Sequence, residues 1–124
     1  MTLQAIVGRV TTAVAIAEGY MQQKGIPWTQ RNPGDLIKGN LGHQTPDGKY
    51  EYDLHSDGWL DLEGMWHRIL SGTHPWYPLT GTWDMIAKEY TGEDAFHNWA
   101  VNVCTVLGVS TSQTLAEFLA ANLT

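Results

Sequence analysis

The sequence predicts a mainly α, α+β domain with one long N-terminal helix, a small β-hairpin and then a cluster of shorter helices. Three observations carry this expectation. An apolar stripe at steps of three and four opens the chain. A Gly-, Asn- and Asp-rich stretch with alternating tyrosines follows it, and the second half repeats helical stripes separated by Gly and Pro. With 124 residues, 43% of them hydrophobic and 16% charged, the chain is sized for one hydrophobic core, so residues 1–124 are expected to form a single domain.

The first stripe, Leu3, Ile6, Val7, Val10, Val14 and Ala17, predicts a helix from Leu3 to about Lys24, stopped by Gly25 and Pro27. Pro33-Gly34 then turns the chain. Between Lys38 and Asp53, Pro46-Asp47-Gly48 supplies turn chemistry, and Tyr50 and Tyr52 alternate with Glu51 and Asp53, which predicts a short hairpin. Ser56 or Asp57 is placed to cap a helix reaching Leu70, with Trp59, Leu62, Trp66 and Ile69 along one face. Gly72, Pro75 and Pro78 make a loop. Thr82 is expected to cap a helix holding Trp83, Ile86, Ala87 and Tyr90, and Asp94 the next, whose stripe is Trp99, Val103, Val106 and Leu107 before Gly108. Ser110 with Gln113 offers a capping box for a last helix bearing Leu115, Phe118 and Leu119.

Composition excludes several functions. No apolar run approaches the roughly 18–20 residues that cross a bilayer, so no membrane insertion is expected. The opening Met1-Thr2-Leu3-Gln4 does not read as a secretory signal, so the chain is expected to be made in the cytoplasm and delivered by another route. A formal charge of −6 with only 7 Lys and Arg argues against a nucleic-acid partner, whose affinity comes from cations displacing counterions. The single Cys104 rules out an internal disulfide and a cysteine-rich zinc site; among valines and a leucine it reads as a small buried hydrophobe. Asp53-Leu54-His55-Ser56-Asp57-Gly58 opens like a calcium loop, but His55 and Gly64 occupy ligand positions, and the histidines lack metalloprotease spacing, with His67 reading as a core-edge residue. No metal and no cofactor is expected. Gly-rich phosphate loops and serine elbows are also missing.

Glu18 carries the most chemistry. It shares the apolar stripe with Val7 and Val14 and lies near the end of the first helix, where the macrodipole disfavours negative charge. Desolvation and dipole both raise a carboxyl pKa, and a carboxyl protonated near neutrality suits protonation of a glycosidic oxygen. The structural alternative is a boundary glutamate turned to solvent or paired with Lys24 or Arg31. A glycosidase commonly adds a second carboxylate. Asp35, Asp47, Glu51 and Asp53 are the candidates; Asp35, after the Pro33-Gly34 turn, is placed to face Glu18, its alternative role being a turn cap. Six tryptophans and five tyrosines serve either core packing or sugar stacking.

In order along the chain, Ala15-Ile16-Ala17-Glu18-Gly19-Tyr20, Arg31-Asn32-Pro33-Gly34-Asp35-Leu36, Gly58-Trp59-Leu60-Asp61-Leu62, the segment Ile86 to Tyr90, and Leu107-Gly108-Val109 resemble small phage-associated and bacterial domains of the lysozyme-like superfamily. The resemblance implies a lysozyme-like fold with a cleft between the first helix and hairpin on one side and the later helices on the other. It implies that Glu18 is the general acid, that peptidoglycan glycan strands are the substrate and partner, and that the protein acts at the cell wall or periplasm. This chain has one Asn fewer before Pro-Gly and has Asp35 where Asn is common, so the resemblance does not itself supply a second carboxylate. In transglycosylases of this superfamily one glutamate acts as acid and then base and leaves an anhydro-sugar; in hydrolases water completes the reaction. Trp28, Asn32, Tyr50, Tyr52 and Tyr90 are the expected substrate-binding residues, while Trp59, Trp66 and Trp99 are assigned to packing. Two further readings stay open: an inactive virion or interaction protein that kept the fold, and a chitinase-like hydrolase. The acidic charge lends the former some weight, since cell-wall polymers are often anionic.

Overall fold

The computed structural model describes residues 1–92 and 96–124. Helix α1 (Leu3–Ala17) opens the chain, followed by a single 3-10 turn (Tyr20–Gln22) and the short α2 (Ile26–Thr29). Strands β1 (His43–Gln44) and β2 (Tyr50–Glu51) form an antiparallel hairpin with His43 opposite Glu51 and Gln44 opposite Tyr50. Among the described residues four helices follow: α3 (His55–Leu70), α4 (Trp83–Thr91), α5 (Phe96–Leu107) and α6 (Leu115–Asn122). This is the mainly helical architecture with a minor hairpin that the apolar patterning predicts.

The stripes become the core. Ile6, Val7, Val10 and Val14 of α1 are fully buried, and α1 packs against both α3 and α5, while α4 packs on α5. Trp66 of α3 and Trp83 of α4, both fully buried, stack at 6.0 Å between ring centroids at the centre of the molecule. Cys104 is buried, and its apolar surroundings push the thiol up to about 12.

Three boundaries differ from the sequence expectation. Helix α1 stops at Ala17 rather than near Lys24, because Gly19 takes a left-handed conformation (φ 79°) and the chain re-enters as a 3-10 turn. Glu18 is therefore the C-cap of α1, one residue past the last regular turn, with its own N–H donating to the Val14 carbonyl at 2.9 Å. Helix α3 begins at His55 with Leu54 in extended conformation as its N-cap; Asp57 lies in the first turn, where a negative charge meets the positive end of the helix, and His67 and Arg68 lie in the last. The capping box of α6 belongs to Thr114 and Glu117 rather than to Ser110 and Gln113; Thr114 Oγ1 accepts from the Glu117 N–H at 3.1 Å, and the Glu117 carboxylate accepts from the Thr114 N–H at 3.2 Å. Asp94, expected to cap α5, lies outside the described residues. Thr82 caps α4 as expected, accepting from the Met85 N–H at 3.2 Å. On α5, Val106 is 43% exposed; the buried face runs through Trp99, Ala100, Val103, Cys104 and Leu107. His67 is exposed rather than at the core edge.

Candidate active site

The loop between α2 and β1 has no helix or strand and is held by side-chain hydrogen bonds. Buried Asn32 bridges it: its Oδ1 accepts from the Leu36 N–H at 2.9 Å, and its Nδ2 donates to the Leu36 carbonyl at 2.9 Å and the Tyr50 carbonyl at 3.1 Å. One amide thus closes the Pro33-Gly34-Asp35 turn and ties it to β2. Gly34 has no alternative residue, because a Cβ there would collide with Leu62 and come within 2.9 Å of the Tyr90 hydroxyl. Its carbonyl accepts from that hydroxyl at 2.6 Å. Gly58 serves the same loop from α3, since a Cβ there would run into the Arg31 carbonyl. Asp35, at the end of this clamp, sits at φ 48°, a left-handed conformation that Asp tolerates better than most residues.

The clamp brings Asp35 near enough to Glu18 for the two carboxyls to shift each other's pKa. Glu18 also accepts from the Trp99 indole N–H, Nε1 to Oε1 at 2.5 Å. Burial raises the Glu18 pKa most, the negative charge of Asp35 raises it further, and the Trp99 donor opposes both; the result is a carboxyl pushed up to about 7. Asp35 is also raised, by desolvation, with the positive charge of Lys49 and the interaction with Glu18 acting against it. Of the candidate second carboxylates, Asp35 alone enters this pair among the described residues. Glu51 binds His43 at 3.0 Å, Asp47 accepts from the Thr45 hydroxyl in the hairpin turn, and Asp53 is exposed.

Trp99, assigned to packing on its helical stripe, has a second task here. Its ring stacks on Tyr90 at 4.8 Å and 27°, and Tyr90 lies 6.4 Å from Trp66 in turn. A continuous aromatic column therefore runs from the core to the acid and fixes where the indole N–H points. Tyr90 is held at both ends, by this column and by Gly34, and its hydroxyl is raised well above the ordinary phenol value by burial first and by the Glu18 charge second.

The remaining expected substrate-binding residues separate into two groups. Asn32, Tyr50 and Tyr52 are 1%, 6% and 1% exposed, so they build the site from within and present almost no surface to a ligand. The Tyr50 hydroxyl accepts from the Gly42 N–H at 3.1 Å, and the Tyr52 hydroxyl donates to Asp61 Oδ2 at 2.8 Å. Trp28 is half-buried and joins a different aromatic group, with Tyr20 at 5.1 Å and His55 at 4.3 Å. There the Tyr20 hydroxyl and His55 Nδ1 lie 2.7 Å apart.

Beside Asp35 opens a cleft of about 420 Å³, lined among others by Lys38, Asp61, Arg68, Trp76, Tyr77 and Tyr90. That volume suits a small-molecule or sugar-sized ligand. The cleft touches Asp35 and Tyr90 but not Glu18, so it lies to one side of the acid. Asp61 anchors its wall: Oδ2 accepts from the N–H groups of Asn40 at 2.8 Å and Leu41 at 2.9 Å as well as from Tyr52. Among the described residues no group of three His, Cys, Asp or Glu side chains converges as a metal site. Comparison with protein-family models, curated proteins and solved structures returns no match to this chain.

Proposed function

We propose that this protein is a lysozyme-like enzyme that cleaves the glycan strands of peptidoglycan at the cell wall, with Glu18 as general acid. The observation that carries the reading is the Glu18 carboxyl itself: half-buried, at a helix C-terminus, beside a second carboxylate, and pushed up to about 7. Such a group keeps a substantial protonated fraction at neutral pH, as a general acid requires. The ordered resemblance of the surrounding motifs to the lysozyme-like superfamily supports the substrate class.

In this mechanism the glycosidic oxygen accepts the Glu18 proton, and the bond to the departing sugar breaks as the proton transfers. The glutamate left behind is a carboxylate stabilised by the Trp99 N–H. It then serves as base, taking a proton either from water or from a hydroxyl of the same sugar, which closes an anhydro ring. The charge of Asp35 raises the Glu18 pKa and so helps to keep it protonated, a role Asp35 can fill on the single-glutamate route.

The test is incubation of the protein and Glu18→Gln with purified peptidoglycan and with chitin oligomers, reading released fragments by mass spectrometry. Anhydro-muramyl ends from the wild type and none from the variant are expected. Reducing ends would place water in the second step, and turnover of chitin alone would change the substrate. No turnover of any polymer would overturn the enzyme reading in favour of a binding protein.

A further inference from the structure

The surroundings of Glu18 come from elements that are distant in sequence. The acid itself caps α1, Asp35 belongs to the loop between α2 and β1, and Trp99 belongs to α5. Tyr90, in the last turn of α4, touches two of these three with different parts of one side chain. Its hydroxyl donates at 2.6 Å to the carbonyl of Gly34, the peptide group that joins Gly34 to Asp35. Its ring lies nearly parallel to the Trp99 indole at 4.8 Å and 27°, and that indole donates its N–H to Glu18.

Both contacts are closely constrained. Gly34 approaches the hydroxyl so tightly that a Cβ there would stand 2.9 Å from the phenol oxygen. Burial first, and the Glu18 charge second, hold the phenol well above its ordinary value, so the hydroxyl remains a donor throughout the range in which Glu18 titrates. Asn32 ties the Asp35 turn to the hairpin through the Tyr50 carbonyl, whereas Tyr90 ties the same turn to α4. Trp66 at 6.4 Å and Tyr77 at 6.5 Å border the Tyr90 ring and limit its swing. Asp35 and Trp99 act on Glu18 with opposite sign, one as a like charge and the other as a donor. One side chain therefore stands behind both.

We propose that Tyr90 is a positioning residue, holding the Asp35 turn with its hydroxyl and the Trp99 indole with its ring so that both face Glu18 at a fixed spacing. The proposal rests on the reading of Glu18 as the general acid for what the arrangement serves. It differs from the substrate-binding role expected of Tyr90 from the sequence, in which the ring would act on the glycan and not through its neighbours.

The test reads the ¹³C titration midpoint of the Glu18 carboxyl in single and paired variants of the intact protein. Tyr90→Phe keeps the ring stack and removes the hydroxyl. It is expected to lower the midpoint by at least about half of the shift that Asp35→Asn produces, because the released turn carries its charge away from Glu18. In the Asp35→Asn background the same substitution is expected to be silent, since the arm it cuts no longer bears a charge. Tyr90→Leu in that background also removes the stack, and is expected to raise the midpoint as the Trp99 donor is lost. An unmoved midpoint in Tyr90→Phe, or an equal shift with and without the Asp35 charge, overturns the proposal. A midpoint that stays or falls in folded Tyr90→Leu overturns its Trp99 half; if that variant does not fold by circular dichroism, the two Tyr90→Phe measurements decide. Peptidoglycan turnover is followed in parallel. A glycan-stacking tyrosine would raise KM and leave the Glu18 midpoint in place, whereas a positioning tyrosine moves the basic limb of the pH–rate profile with the midpoint. Turnover with a silent Tyr90→Phe removes this proposal alone; a responsive midpoint without turnover removes the enzymatic reading and leaves the positioning role standing.

Discussion

Glu18 and Asp61 are both acids set into the framework around the hairpin, Asp61 buried and Glu18 half-buried, and their partners differ. Asp61 receives two backbone N–H groups and the Tyr52 hydroxyl on one oxygen, all within 2.9 Å. Among the described residues Glu18 receives one donor, the Trp99 indole N–H, and it faces another acid. A carboxyl surrounded by donors becomes an anchor for a loop, whereas a carboxyl short of donors and next to a like charge retains its proton. The first arrangement fixes the cleft wall; the second supplies the chemistry beside it.

The comparison breaks most visibly if each acid is removed in turn. Glu18→Gln is expected to reduce glycan cleavage by roughly 10²- to 10⁴-fold, the usual contribution of a general acid, without loss of fold by circular dichroism. Asp61→Ala is expected to lower stability by about 2–4 kcal/mol in urea unfolding, because three donors lose their acceptor. Its effect on activity should follow from the loosened wall and not from a changed pH profile.

A smaller effect sharpens the contrast through linkage. In the native protein Glu18 titrates at about 7, above the value of 4.5 for a free glutamate. Between those two values the native state holds a proton that the unfolded chain has released, so stability falls as pH rises through this window. The penalty is absent below the lower value and fully present above the upper one. Glu18→Gln removes it, and is expected to stabilise the protein by about 1–3 kcal/mol at pH 8 while matching the wild type near pH 4, measured by thermal unfolding. The smallest effects separate the neighbours of Glu18. Asp35→Asn removes a raising charge and should move the basic limb of the pH–activity profile down; Trp99→Phe removes a lowering donor and should move it up. On the single-glutamate route Asp35→Asn retains most activity at the new optimum, whereas a two-carboxylate hydrolase would be disabled.

The helices were legible because their stripes are long and their interiors carry few polar residues. Ile6, Val7, Val10 and Val14 could face only a core, and Pro46-Asp47-Gly48 could do little but turn. The pairing of Glu18 with Asp35 was partly legible, since a helix-end acid and a turn acid were the natural candidates. The role of Trp99 was not. A buried indole N–H usually finds an acceptor, yet those of Trp66 and Trp83 have none among the described residues, and that Trp99 reaches Glu18 depends on α5 packing against α1, which no local pattern states. Tyr50 and Tyr52 misled for the opposite reason: alternation in a two-residue strand does not say which face is covered, and both rings turn inward.

The central claim is that Glu18 holds its proton at neutral pH because burial desolvates its carboxyl and the charge of Asp35 adds to that effect. The most direct test is a ¹³C NMR titration of the Glu18 side-chain carboxyl in the wild type and in Asp35→Asn. The account predicts a midpoint of about 7 in the wild type and a lower one in the variant. A wild-type midpoint near the 4.5 of an ordinary glutamate, unmoved by the substitution, would contradict it.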